Sequence, residues 1–231
     1  MAFRRRHLIA VTVALTLFMA ACGDDTEPQT TEPGTGATGA SGATTVAPVN
    51  IDANAILKYG TMQAVSLDPV KQGTPCEVSQ MRLIYDTLTQ FDENNKLQPM
   101  LATSWTLDTP TQLTMKLRTD VKFQDGTPFD ATAAKFNIDR VLSDPVSNIK
   151  GMLTMLDSVS VVDPSTIQFK MKIAAGGPLL AALADRSGMM ISPTAYKALG
   201  ADGFNKAPVG SGMYKVTGEW RPVESLSIRS W

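Results

Sequence analysis

Nucleophilic and acid–base chemistry needs a small set of side chains, and this sequence supplies few of them. His7 is the single histidine among 231 residues, and Cys22 and Cys76 are the two cysteines. His7 lies inside a basic-then-apolar leader and is expected to leave with it. Without it, neither a Ser–His–Asp nor a Cys–His arrangement can form. Zinc held through imidazole is excluded within this chain for the same reason. Gly210-Ser211-Gly212 lacks the G-x-S-x-G pattern of a nucleophile elbow. No G-x-x-x-x-G-K-[ST] phosphate loop occurs. Asp92 and Glu93 could form a carboxylate pair, but adjacent acids in a polar turn are ordinarily solvated. The chain reads as a binder and not an enzyme, with no cofactor and no metal.

The first residues address the chain to a compartment. Arg4, Arg5 and Arg6 precede the apolar stretch Leu8–Met19, which only Thr12 and Thr16 interrupt. This is the layout of a secretory signal peptide. It is shorter than the roughly 20 residues that a bilayer-spanning helix needs. Ala20-Ala21-Cys22 follows and resembles a bacterial lipobox, with Met19 where Leu is usual. That resemblance implies that Cys22 becomes a lipid-bearing N-terminus, where two or more acyl chains make a stable anchor. The alternative is an ordinary signal peptide with an incidental cysteine. With Cys22 lipidated, Cys76 is left alone and no intramolecular disulfide can form; a lone thiol in an oxidising compartment is expected to be buried or shielded.

Gly23–Asn50 is rich in Thr, Gly, Pro, Ala and acidic residues and nearly free of large apolar side chains. Such a stretch cannot bury enough surface to offset its ordering entropy, so a flexible tether is expected. The predicted organisation is a signal peptide over 1–21, a lipid-anchored linker over 22–50 and a folded body over 51–231. Hydrophobic residues make up 43% and charged residues 19%, with a formal net charge of −1. No clustered Lys/Arg footprint for nucleic acid is present.

The elements that would position any site alternate without a regular βαβ repeat. Ile56–Tyr59 reads as a strand leading to the turn Leu67-Asp68-Pro69. Val78, Met81, Ile84, Tyr85 and Leu88 have helical spacing and predict a helix over Val78–Leu88. Thr89–Phe91 and Leu97–Met100 flank a hairpin turn. Ser104–Leu107 and Leu113–Leu117 form a second strand pair, with Leu113, Met115 and Leu117 on one face. After the Asp125-Gly126 turn, Asp130 caps a helix whose apolar stripe is Phe136, Ile138, Val141 and Leu142. Ser158–Val162 and Thr166–Met171 bracket a turn at Asp163-Pro164-Ser165. Pro178–Ala184 and Pro193–Leu199 read as short helices around a strand at Met189–Ile191. Met213–Val216 and Leu226–Ile228 close the chain as strands. The pattern predicts an α/β fold of the mixed α+β kind.

Seven segments, in order, resemble the extracellular solute-binding proteins of ABC importers, peptide/nickel class (family 5). They are Leu67-Asp68-Pro69, Ile84–Leu88, Leu101–Trp105, Val121–Phe129, Asp163–Phe169, Ile191–Lys197 and Pro208–Tyr214. Gln124 stands where His is frequent, and Met213 replaces a Pro. The resemblance implies a clamshell of two lobes that close on a solute. It covers about Ile56 to the last residue and only the N-terminal portion of the family. The expected body is therefore a periplasmic-binding-protein-like lobe with an inserted subdomain, the second lobe missing. A single wall would bind solute weakly, because pockets bury most of a small ligand, and the uncovered flank would invite aggregation.

The same resemblance places the loop Lys71–Glu77 at the cleft. Thr74, Cys76 and Glu77 are candidates there for a solute amine or amide, the alternative being a surface loop with Glu77 favouring a helix start. Arg186 is a candidate partner for a solute carboxylate, or else a surface arginine at a helix end. Met152 and Met155 could form an adaptable apolar wall, or simply core. Trp105 and Trp220 read as packing residues. The implied function is a lipid-anchored capture protein handing peptides or a similar small solute to ABC permease and ATPase subunits, on the extracytoplasmic face of the membrane. Nickel is disfavoured by the missing histidine. The alternative is a truncated lipoprotein remnant or interaction module without transport.

Overall fold

In the computed structural model, residues 64–73, 77–218 and 226–230 are described. The chain divides into Met1–Ile56, which lies wholly outside those residues, and Leu57–Trp231, to which all that follows refers. The predicted signal peptide, the linker, Cys22 and the strand at Ile56–Tyr59 thus lie outside the described residues.

Helix α1 spans Val78–Ile84, shorter than the spacing predicts. Tyr85 leaves helical geometry as an extended residue, and its N–H closes the helix on Met81 O. Tertiary partners decide this end. Ile84 O accepts from Gly212 N at 2.9 Å, the Tyr85 hydroxyl donates to Leu67 O at 2.6 Å, and Leu88 N donates to Gly188 O at 3.1 Å. Tyr85 and Leu88 are buried as the spacing demands, but in an extended segment.

Strands β1 (Thr89–Phe91) and β2 (Leu97–Pro99) pair as the predicted hairpin. Asp92 shapes its turn by accepting from Asn94 N and Lys96 N. Next come β3 (Ala102–Thr109) and β4 (Gln112–Leu117), then α2 (Ala131–Ser143), β5 (Leu156–Asp163) and β6 (Thr166–Met171). The sheet order is β3-β4-β6-β5 and every pair is antiparallel. Leu113, Met115 and Leu117 of β4 and Ile167, Phe169 and Met171 of β6 face one core with Ile138 and Val141 of α2. Burying such a side chain contributes about 1.5–3 kcal/mol. The central strands β4 and β6 pair with each other without interruption, whereas β3 and β5 each slip register near both ends. Bulges at edges twist the exposed strand away from foreign partners.

Asp130 caps α2 as predicted, accepting from Ala133 N at 2.8 Å. The buried stripe is wider than the four apolar residues suggest. Ile138 and Val141 are buried, Phe136 and Leu142 only partly, and Asn137 and Arg140 are buried as well. Helix α3 spans Gly176–Ala182, two residues ahead of the predicted range. Helix α4 runs from Pro193 to Lys206 across a kink at Gly200, beyond the predicted end at Leu199. Ser192 caps it through Ala195 N.

Met189–Ile191 is not a strand. Met189 and Ile191 make isolated bridges to Thr87 and Gly210. The Asn137 side chain stands in for a missing neighbour strand: its Oδ1 accepts from Ile191 N and its Nδ2 donates to Ile191 O, both at 3.0 Å. The chain ends in the pair β7 (Tyr214–Val216) and β8 (Ile228–Ser230), the latter two residues later than predicted. A second core gathers Leu67, Met81, Ile84, Tyr85, Met189, Ile191 and Phe204 between α1 and α4.

Candidate functional site

The turn Leu67-Asp68-Pro69 opens a 3-10 turn, Pro69–Lys71, that leads into the loop predicted to bind. Polar ties hold it from several sides. Asp68 Oδ1 accepts from Val70 N at 3.3 Å. Both Asp68 carboxylate oxygens accept from Arg140 of α2, Oδ1 at 2.8 Å from Nη1. The Arg140 guanidinium also lies 4.1 Å from the centre of the Tyr196 ring and 3.5 Å from Asp144. Burial opposes its charge, but bonding and attraction to Asp68 outweigh that and raise its pKa. Beside it, burial and then the Asp68 charge push the Tyr85 hydroxyl well above its ordinary value. Asn205 Oδ1 accepts from the Ser66 hydroxyl at 2.7 Å and Leu67 N at 2.9 Å. Asn148 donates to Val70 O and Lys71 O, each at 2.8 Å.

Glu77 is buried at the start of α1 and makes no side-chain cap. Its Oε1 accepts from Val65 N at 2.8 Å, so the carboxylate serves as an internal tie for the chain entering the turn. Thr74 and Cys76 lie outside the described residues.

Arg186 begins another 3-10 turn, Arg186–Gly188, whose N–H is capped by Asp185 Oδ1 at 2.7 Å. Arg186 Nε lies 3.7 Å from that same oxygen and has no hydrogen-bond partner. Met152 sits in the 3-10 turn Lys150–Leu153, and Met152 and Met155 pack partly buried against the sheet core. The Arg186 turn packs against both Pro69–Lys71 and Lys150–Leu153. The Arg186 turn is thus the common neighbour of the other two segments singled out from the sequence. Trp105 packs against the core, and Trp220 lies outside the described residues.

The arrangement suits binding. Asp92, the first acid of the adjacent pair, is half-buried and held below its ordinary pKa by bonds from Lys96 N–H and Gln98. Burial alone would raise Asp125, yet the Ser192 and Thr127 hydroxyls and the Thr127 N–H hold it low. Among the described residues no group of three or more His, Cys, Asp and Glu side chains could hold a metal ion. No helix among them is long and apolar enough to cross a membrane.

Arg140, which holds the turn at Asp68, and Asn137, which holds Ile191, were not candidates from the sequence. Asn137 and Arg140 lie next to Ile138 and Val141 in the apolar stripe of α2, and polar residues interleaved there were the available signal.

The pattern of the bacterial extracellular solute-binding proteins, family 5 Middle, matches residues 96–229. The chain belongs to this family. As a family 5 protein it is 32% identical over 170 residues to the glutathione-binding protein GsiB of Shigella flexneri, covering 72% of this chain and 32% of the relative. Its fold matches NikA from Brucella suis in complex with Fe(III)-EDTA, with a TM-score of 0.63 and 32% identity over 73% of this chain and 34% of that one. It also matches the periplasmic binding protein DppA from Helicobacter pylori in complex with peptide STSA, with a TM-score of 0.65 and 25% identity over 74% of this chain and 38% of that one. The family 5 chain spans about a third of the length of the curated relatives it matches.

Proposed function

We propose that this chain is the solute-capturing component of an ABC importer, held to the extracytoplasmic face of the membrane by a lipid on Cys22. Residues 1–21 are the leader, 22–50 the tether, and 51–231 the N-terminal part of the solute-binding body. The solute is a peptide or a similar small molecule bearing a carboxylate. It is passed to permease and ATPase subunits, and the chain catalyses no reaction.

The observation that carries this reading is the packing of the Arg186 turn against both the Met152 turn and the entry to the Lys71–Glu77 loop in a family 5 fold. Relatives named for glutathione and for a bound peptide support a carboxylate-bearing ligand. A guanidinium is suited to such a group, since it donates in a fixed planar fork. The two methionines offer an adaptable apolar wall beside it. Thr74 and Cys76 complete the proposed polar side of the loop, with Glu77 holding the loop's base.

Titration calorimetry with glutathione and a panel of di- to tetrapeptides tests the solute. Saturable binding that Arg186→Ala weakens at least about tenfold, with a smaller loss for C-terminally amidated peptides, supports the reading. Because a single wall binds weakly, the titration is carried to millimolar solute, and no binding by any member of the panel even there would favour the remnant or interaction module. Labelling with radioactive fatty acid tests the anchor: incorporation should be lost in Cys22→Ser, and the protein should then appear in the soluble exported fraction.

A further inference from the structure

One side chain joins backbone segments that lie far apart in sequence. Gln124 Nε2 donates to Tyr214 O at 2.7 Å and Gly212 O at 3.0 Å, with a longer contact to Ile84 O at 3.4 Å. Its Oε1 accepts from Gly210 N at 3.3 Å, and its own backbone N–H donates to Gly210 O at 2.9 Å. A primary amide offers two hydrogens and one carbonyl oxygen, and here both donors and the acceptor are engaged.

The support for this side chain is rigid. Phe123 N–H donates to Thr127 O at 2.8 Å across the turn, and Gly126 takes the positive φ of 83° that the turn requires. Phe123 and Phe129 meet edge-on at 6.0 Å beneath it. The segment it holds lies flat on the end of α1. A Cβ on Gly210 would come within 2.1 Å of Ile84 O, and one on Gly212 within 2.6 Å of Ile84 C. Glycine at both points permits the approach but offers no side chain to secure it; Ser211 between them is buried beside Asp86, and Met213 just after them is 69% exposed. An amide from another segment provides the missing link.

We propose that Gln124 is the positioning residue for Pro208–Val216, fixing the path by which the chain leaves Ile191 and α4 and enters β7. The assignment goes beyond the solute reading and does not depend on it. Glutamine is suited to the task because it presents donors and an acceptor together in a neutral group. A glutamate carboxylate would face the carbonyl oxygens of Gly212 and Tyr214 with acceptors only.

Amide hydrogen exchange on the full 231-residue chain, expressed as protection factors, tests it in Gln124→Leu and Gln124→Glu. The reporter is the Gly212 amide, which bonds Ile84 O and not Gln124 itself. Gln124→Leu should lower its protection about tenfold or more at every pH, leaving Met115 and Phe169 in the sheet unchanged. Gln124→Glu should lower it at about pH 8 and restore it toward about pH 4.5, where the carboxyl protonates and can donate. The unsubstituted chain over the same range accounts for Asp86 beside Ser211, for Asp125 and for Lys122. Unchanged Gly212 protection in Gln124→Leu overturns the proposal. So does a loss shared equally by the sheet, or a Gln124→Glu chain that acid does not restore.

Discussion

Arg140 grips Asp68 through both of its terminal nitrogens, pinning the last turn of α2 to the turn that leads toward the candidate loop. The pair is nearly closed to solvent, with side-chain exposures of 7% and 0%. A buried pair of this kind is weak evidence of net stabilisation, because desolvation offsets the attraction, but removing one partner strands the other charge. Arg140→Met should therefore lower the unfolding free energy by about 3–5 kcal/mol in urea denaturation. The double change with Asp68→Asn should cost less than Arg140→Met alone. A double mutant that loses the sum of both single changes would show the two residues acting separately.

Two glycines eleven positions apart should respond very differently. A methyl at Gly188 would sit 1.8 Å from Leu183 O, a backbone atom that cannot swing aside, whereas one at Gly177 meets nothing within 4 Å. Gly188→Ala is expected to cost about 3 kcal/mol or more by overpacking and to displace the turn carrying Arg186. Gly177→Ala, in the exposed first turn of α3 and directly ahead of Pro178, meets no clash and should change stability by no more than about 0.5 kcal/mol. Thermal unfolding of both variants checks the contrast.

Burial pushes the Asp86 carboxyl above its ordinary value, against smaller opposing effects of the Ser211 hydroxyl and Arg118. A raised folded-state pKa means that the folded chain holds the proton more tightly than the unfolded chain. The resulting penalty appears as pH rises from the ordinary carboxylate value to the folded one, and it is complete above both. Asp86→Asn should accordingly be the more stable protein at neutral pH, with the advantage shrinking on acidification. Denaturation midpoints measured across that range would refute the sign if the advantage instead grew toward low pH.

The start of α2 depends on one carboxylate oxygen. Asp130→Ala removes the bond to Ala133 N and should cost about 1 kcal/mol, while Asp130→Asn keeps an acceptor and should cost only a fraction of that. Chemical denaturation of the two variants against the unsubstituted chain distinguishes cap geometry from a general charge effect.

Much of the framework was legible from local periodicity. The alternation of Leu113, Met115 and Leu117 placed β4 and its buried face, and Asp130 marked the start of α2, because both signals depend only on residues within a turn or a pleat of each other. Helix ends were less legible. The spacing of Tyr85 and Leu88 continues that of α1, yet Ile84 O is taken by Gly212 and the chain straightens. Met189–Ile191 looked like a strand because three apolar residues in a row satisfy that pattern. It found only single-residue bridges and the Asn137 side chain as partners.

By itself the sequence determined the mixed α/β class, the order and inward faces of the main strands and helices, the family, and the absence of a histidine beyond His7. Periods of two and of about 3.6 residues are written in neighbouring side chains, so these features need no knowledge of distant contacts. Only the tertiary structure decided that Asp68 meets Arg140 across 72 positions and that Gln124 reaches Tyr214 across 90. It alone set the Arg186 turn against both the entry of the candidate loop and the Met152 turn. Polar pairing at such separations leaves no period in the chain: it depends on which surfaces the hydrophobic cores press together, and that is settled by packing.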